Sequence, residues 1–187
     1  MFNFLGNIEA KIDSKARIFI PAAFRKTLLS EGQSSLVLRK DVFQNCLVLY
    51  PDSIWQEELR QLKSKLNNWD RAQKQIFRQF VVSAERLEMD TNGRVLIPKR
   101  YLQMIGAVSE VTFLGMDDTI EIWGKDVLDS TLLDAEDFSR QIQSLILLFD
   151  LHQTMFLHIF GLQEHLQDLI PTLNWDFQDQ NLTNWLK

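Results

Sequence analysis

The sequence predicts a mostly β protein with helices, made of two copies of one structural unit, a helical linker between them and a C-terminal helix. Three observations carry this. The stretches "DSKARIFIP" and "DTNGRVLIP" share the pattern Asp-x-x-x-Arg-apolar-apolar-Ile-Pro at an offset of 77 residues, beginning at Asp13 and Asp90. The elements read around each stretch come in the same order, which marks duplication of a whole unit. The segment between the copies carries apolar residues at helical rather than alternating spacing.

The elements follow in order. In "NIEAKI", Ile8, Ala10 and Ile12 alternate with Glu9 and Lys11, the period of two that sets one face of a strand on a core. After a polar segment "RIFI" is a second apolar run, so the two strands read as a hairpin. Pro21 suits the first turn of a helix, where its missing N–H costs nothing, and "AAFRKTLL" sets Phe24 and Leu28 on one face. Glu31 and Gly32 end that helix. "LVLRK" from Leu36 and "CLVLY" from Cys46 read as another strand pair.

After Ser83 the series recurs as "ERLEM", the loop "DTNG", "RVLIP", the helix "KRYLQMI", then "VTFLG" and "TIEIW". The offset of 77 sets Phe24 on Tyr101 and Leu36 on Phe113, and loss of four loop residues brings Leu47 to Ile120 and Tyr50 to Trp123. The expected organisation is unit 1 over 7–54, a helical linker over 55–82, unit 2 over 83–126 and a helical extension over 127–187 that is atypical after 144. In the linker Ser53 and Gln56 form a capping box, and Ile54, Leu62, Leu66 and Trp69 recur at helical spacing. Asn67 and Asn68 interrupt it. A second helix from about Asp70 carries Ile76, Phe77 and Phe80 on its apolar side and Arg71, Lys74 and Arg78 on the other. Trp55, Trp69, Phe77 and Phe80 are expected to pack in the core.

Composition is that of a globular domain, with 45% hydrophobic and 24% charged residues in 187. The net charge of −5 hides an asymmetry. Residues 1–105 hold 17 Lys+Arg against 11 Asp+Glu, and residues 106–187 hold 3 against 14. An acidic total therefore leaves room for a basic working face. The start "MFNFLGNIEAKID" lacks the parts of a secretory signal, which predicts a cytoplasmic protein. The single cysteine, Cys46, lies in an apolar run and reads as a buried, inert thiol. No zinc pattern, Gly-rich phosphate loop or nucleophile elbow occurs, so no catalytic residue, metal or cofactor is assigned and an enzyme is disfavoured.

The repeated loop admits two readings. Asp13 and Asp90 can accept hydrogen bonds from backbone N–H groups one or two residues on and pair with Arg17 and Arg94, a purely local use. Alternatively the aspartates shape the turn while the arginines face outward to grip a phosphate or a guanine edge. Lys15 and Asn92 hold matched positions and can each donate a hydrogen bond. Gly93 suits positive φ, whereas Ala16 at the matched position is strained there by on the order of 1 kcal/mol.

Two such units, together with "FLGNIEAKIDSKARIFIPAAFRKTL", "RKDVFQNCLVLYP", "DTNGRVLIPKRYL" and "IEIW", resemble the MraZ family of bacterial transcription regulators, built from two SpoVT/AbrB-type units. The resemblance covers residues 1 to about 143, and Ala16 departs from the family's usual Gly before the Arg. It implies an AbrB-like swapped-hairpin β-barrel shared by both halves, a ring-shaped homo-oligomer, and binding to tandem boxes of double-stranded DNA upstream of a cell-division and cell-wall gene cluster and its own operon, usually as a repressor. It implies a cytoplasmic, nucleoid-associated protein with no membrane or small-molecule substrate. Carried onto this sequence, the DNA-binding positions are Arg17, Arg94, Lys15 and Asn92, with Asp13, Asp90 and Gly93 shaping the loops. The alternative is an antitoxin-like or scaffold protein using the same fold mainly to bind protein.

Beyond Ser144 the resemblance stops. A helix from about Asp134 to Asp168 is expected, apolar on more than one side. Asp150, His152, Gln153 and His158 interrupt any membrane span, and His152, His158 and His165 lack the i, i+4 spacing of a compact metal pair.

Overall fold

Apolar runs bounded by polar turns form strands in both copies. A computed structural model describes residues 2–125 and 127–159, with side chains through 149. The first copy supplies β1 (Asn7–Lys11), β2 (Arg17–Phe19), β3 (Ser35–Lys40) and β4 (Cys46–Pro51), and the second β5 (Ala84–Glu88), β6 (Arg94–Leu96), β7 (Glu110–Met116) and β8 (Thr119–Gly124). The helices are α1 (Ala22–Ser30), α2 (Asp52–Lys65), α3 (Arg71–Val82), α4 (Lys99–Met104), α5 (Val127–Thr131) and α6 (Ala135–Ile159).

Six strands form an antiparallel sheet in the order β1-β7-β8-β4-β3-β5, while β2 and β6 form a separate two-stranded ribbon. Exchanging the copies, β1 for β5, β3 for β7 and β4 for β8, turns this order into its own reverse. Each copy thus lends its first strand to the other. The expected hairpin between β1 and β2 is corrected accordingly: its arms meet at one bridge, Ile12 to Ile18, and then part into different sheets. Alternation in a strand specifies which face is buried, and does not specify the partner.

The ladders also correct one equivalence. Ile8 stands opposite Phe113, and its counterpart Glu85 stands opposite Leu38, so Phe113 matches Leu38 rather than Leu36. A shift of two residues keeps the same face inward, which is why Leu36 and Phe113 are both fully buried all the same.

Both faces of the sheet are covered. On one side the ribbon's Ile18 and Val95 join Phe24, Leu28 and Tyr101 against Leu36, Leu38, Leu47, Leu49, Phe113 and Ile122. On the other, Val37, Val48, Tyr50 and Trp123 meet Trp55 of α2 and Leu128 of α5. This two-sided cover explains why β3 and β4 read as unbroken apolar runs. Cys46 is fully buried, and burial first, with Glu121 and Asp41 adding, pushes its thiol up to about 12.

In the linker three expectations change. Helix α2 starts at Asp52 directly after Pro51, with no side-chain cap, so Ser53 lies inside the first turn and makes no capping box. Trp55 is buried and stacks on Phe80 at 5.6 Å, but Trp69 is 96% exposed in the turn between α2 and α3. That turn is closed by Asn67, whose side chain accepts from the Trp69 N–H and whose carbonyl accepts from the Asp70 N–H, and it leaves the indole outside. Ile76 is exposed too, and α3 buries no residue completely. Asp70 caps α3 through the Gln73 N–H, as its position before the periodic run suggests.

The described residues up to Leu132 form one compact unit, and α6 belongs to another. In the second, the Asp134 carboxylate accepts from the N–H groups of Glu136 and Asp137 at the start of α6. Phe138, Ile142 and Leu145 through Phe149 are exposed. The expected continuation to Asp168, His165 and the side chains of His152 and His158 lie outside the described residues. No helix among the described residues is long and apolar enough to cross a membrane.

Candidate nucleic-acid interface

The two loops are built alike from their aspartates. Asp13 Oδ1 accepts from the N–H groups of Lys15 at 2.8 Å and Arg17 at 2.9 Å. Asp90 Oδ1 accepts from Asn92 and Arg94, each at 2.9 Å. The Asp13 carbonyl takes the Ala16 N–H and the Asp90 carbonyl takes the Gly93 N–H, which closes each turn and forces its last residue to positive φ, +62° at Ala16 and +82° at Gly93. The strain expected at Ala16 is present.

The second carboxylate oxygen holds the arginine. Arg17 Nε donates to Asp13 Oδ2 at 2.7 Å and its Nη2 lies 2.7 Å from the same oxygen; Arg94 Nε donates to Asp90 Oδ2 at 2.8 Å. The reading in which the arginines turn away from their aspartates is therefore corrected. Each guanidinium is tied within its own loop, because the turn brings a residue four positions on back beside the carboxylate. The side chains remain 32% and 22% exposed. The backbone N–H of Arg17 first, and then its guanidinium, hold the Asp13 carboxyl down at about 2; Asp90 is lowered chiefly by the Arg94 N–H.

The ribbon brings the loops together. Arg17 pairs with Leu96, Ile18 with Val95 and Phe19 with Arg94. Hydrogen bonds from Ile20 N–H to the Gly93 carbonyl and from Ile97 N–H to the Ala16 carbonyl, each 3.0 Å, tie each strand's end to the opposite loop. Because sides alternate along a strand, Ile18 and Val95 face the core while Arg17, Phe19, Arg94 and Leu96 share the outer face. The two arginines stand about 7 Å apart along the strands, two residues of rise. Phe19 and Leu96 are more than half exposed, and the Arg94 guanidinium lies 5.6 Å from the Phe19 ring centre. Lys15 and Asn92 are exposed at the loop tips.

Sequence reasoning missed Phe19, Leu96 and Arg25. The first two were legible in the alternation of "RIFI" and "RVLI", whose second apolar residue must face out if the first faces in. Arg25, on α1, leaves no local signal. Its side chain crosses the second loop so closely that a Cβ at Gly93 would stand 2.2 Å from its Cδ and 2.7 Å from its Nη1.

A family model described as "MraZ protein, putative antitoxin-like" matches residues 3–78 and 80–148. A "Transcriptional regulator MraZ" of Phocaeicola vulgatus is 49% identical over 76% of this chain and 93% of its own length. Its namesake in Bacteroides fragilis is 50% identical over 78% and 92%, and that of Yersinia pestis 32% identical over 77% and 99%. Two matched segments flanking residue 79 correspond to the duplication that the palindromic sheet displays, and the chain belongs to the MraZ family.

Proposed function

We propose that the chain is a sequence-specific DNA-binding transcription regulator that grips duplex DNA with the outer face of the β2–β6 ribbon. Relatives named transcriptional regulators, similar along nearly their whole length, support the class. The observation that carries the site is the placement of Arg17 and Arg94 on one outward face, each with its guanidinium plane fixed by an aspartate. A guanidinium has five N–H donors. The aspartate engages the Nε side and leaves Nη1 of Arg17 and Arg94 for a phosphate or base edge, so the ion pair acts as an orienting partner that lowers the entropy lost on binding. Lys15 and Asn92 extend the donor set at the tips.

In this reading residues 7–54 and 83–126 are two AbrB-like swapped-hairpin units, and the exchange of β1 and β5 supports it. One ribbon neutralises few phosphates, so we infer a ring-shaped homo-oligomer that engages tandem boxes, each further contact gaining from effective concentration. The targets are DNA upstream of its own operon and of a cell-division and cell-wall gene cluster, with repression as the outcome. The rival reading, an antitoxin-like scaffold, draws on the family description and on the neutralised arginines. Binding of the purified protein to its own upstream duplex over a salt series separates them. Regulation predicts log affinity falling steeply and linearly with log salt, because phosphate contacts release counterions. No binding at low salt favours the scaffold.

A further inference from the structure

We propose that α6 is a self-association helix, which packs its apolar stripe against the same helix of a second copy of this chain. The contact lies outside the unit that carries the sheet, so it stands whether or not the ribbon binds DNA. The helix spans Ala135–Ile159 and is the sole described element of its unit. Phe138, Ile142, Leu145, Ile146, Leu148 and Phe149 are each between 42% and 65% exposed. Helices in proteins draw most of their stability from packing an apolar face, so a stripe of this extent requires a cover. Spacing identifies the cover. Phe138, Ile142, Leu145 and Phe149 are separated by 4, 3 and 4 residues, and the sequence continues the alternation through His152, Phe156 and Ile159. A sustained repeat of about 3.5 residues is the pattern of a helix that supercoils with a like helix. His152 is the single polar residue in this register from Phe138 to Ile159.

Charge supports a second copy over a foreign partner. With these residues as the a and d positions of a heptad, Glu136, Asp137, Arg140 and Asp150 all fall at b, c or f, on the outer side. Arg140 lies 3.0 Å from Asp137 and 3.6 Å from Glu136, so these outer charges pair along their own helix and require no partner. The positions flanking the seam hold Ser139, Gln141, Ile146 and Leu148, none of them charged. Partner choice between unlike helices is written in charges at those positions, and here that code is blank. A second copy is matched by the repeat itself and meets no like-charge repulsion, while Ile146 and Leu148 widen the stripe it covers. Among the apolar side chains described in α6, only Leu147 lies on the outer side.

The test follows the mass of the purified full chain by light scattering over a dilution series, and reads the concentration at which its assembly dissociates. The double variant Ile142→Glu/Leu145→Glu places two carboxylates in the seam and should raise that concentration at least about tenfold, the cost of desolvating unpaired charge. The control Gln143→Glu/Ser144→Glu adds the same charge at b and c and should leave it unchanged. A wild-type chain that is monomeric throughout would overturn the inference. So would an unchanged dissociation concentration in the seam variant, because the stripe is then covered by residues 160–187 or by another molecule. Equal weakening in seam variant and control would also overturn it, since net charge rather than the seam would be responsible. Should the seam variant lose the near-ultraviolet aromatic signal of the folded sheet unit, Leu145→Asn decides in its place. Weakened association with that signal intact supports the inference, and wild-type association overturns it.

Discussion

The loops after β1 and β5 share an aspartate, an arginine and a hydrogen-bonding scheme that agrees to about a tenth of an ångström, yet they differ in every side chain that the scheme does not use. The first has Lys15 and Ala16, the second Asn92 and Gly93, and only the second lies under an arginine from α1. What the duplication retained is the geometry that aims a guanidinium from a ribbon end; what it let drift is the charge around that guanidinium. A quasi-symmetric protein can in this way hold two arginines at fixed separation while giving them unequal surroundings.

The comparison breaks most severely at the ribbon's centre. Ile18 is fully buried opposite Val95, midway between the loops. Ile18→Ala should cost about 2–5 kcal/mol by denaturant titration, through lost burial and the cavity left behind. It should disturb both loops together, so a change confined to one loop's amide resonances would show that the ribbon does not couple them.

Exchanging the apex residues sharpens the contrast. Gly93→Ala should cost about 1 kcal/mol of stability, the penalty of a Cβ at positive φ, with the arginine displaced in addition. Ala16→Gly should be close to neutral, since about 1 kcal/mol of relieved strain is offset by 0.4–1 kcal/mol of added freedom in the unfolded chain. Thermal melts of the two variants read the difference directly.

Acid supplies the mildest probe. The folded pKa of Asp13, about 2, lies below its ordinary 3.8, so its contribution to stability is fully present above the ordinary value and is lost as pH falls through about 2. Asp90 is lowered in the same direction. Carboxyl titration by NMR should find both inflections below the ordinary value, and an inflection at or above 3.8 in either would show that its loop cap is not formed.

Much of this architecture was legible in the letters because its physical causes are local. The repeated Asp-x-x-x-Arg turn, the Pro that precedes α1 and α4, the buried Phe24 and Tyr101, and the positive φ at Gly93 each follow from a few neighbouring residues. The failures have the opposite character. Pairing of β1 with β7, the two-residue shift that sets Leu38 against Phe113, and the path of Arg25 across Gly93 depend on residues far apart in the chain. Trp69 misled because large aromatic size suggested burial, while a turn closed by Asn67 set it outside. The ion pairing of Arg17 and Arg94 was one of two readings open to the loop, and only side-chain geometry could choose it.

The central claim, that the outer face of the ribbon meets DNA through its oriented arginines, is tested most directly by one assay. Wild type and the Arg17→Ala/Arg94→Ala double variant are titrated against the upstream duplex, with multimer size followed by light scattering on the same samples. The account predicts that the double variant keeps its fold and assembly and no longer shifts the DNA. Retention of wild-type affinity by a correctly assembled double variant would contradict it.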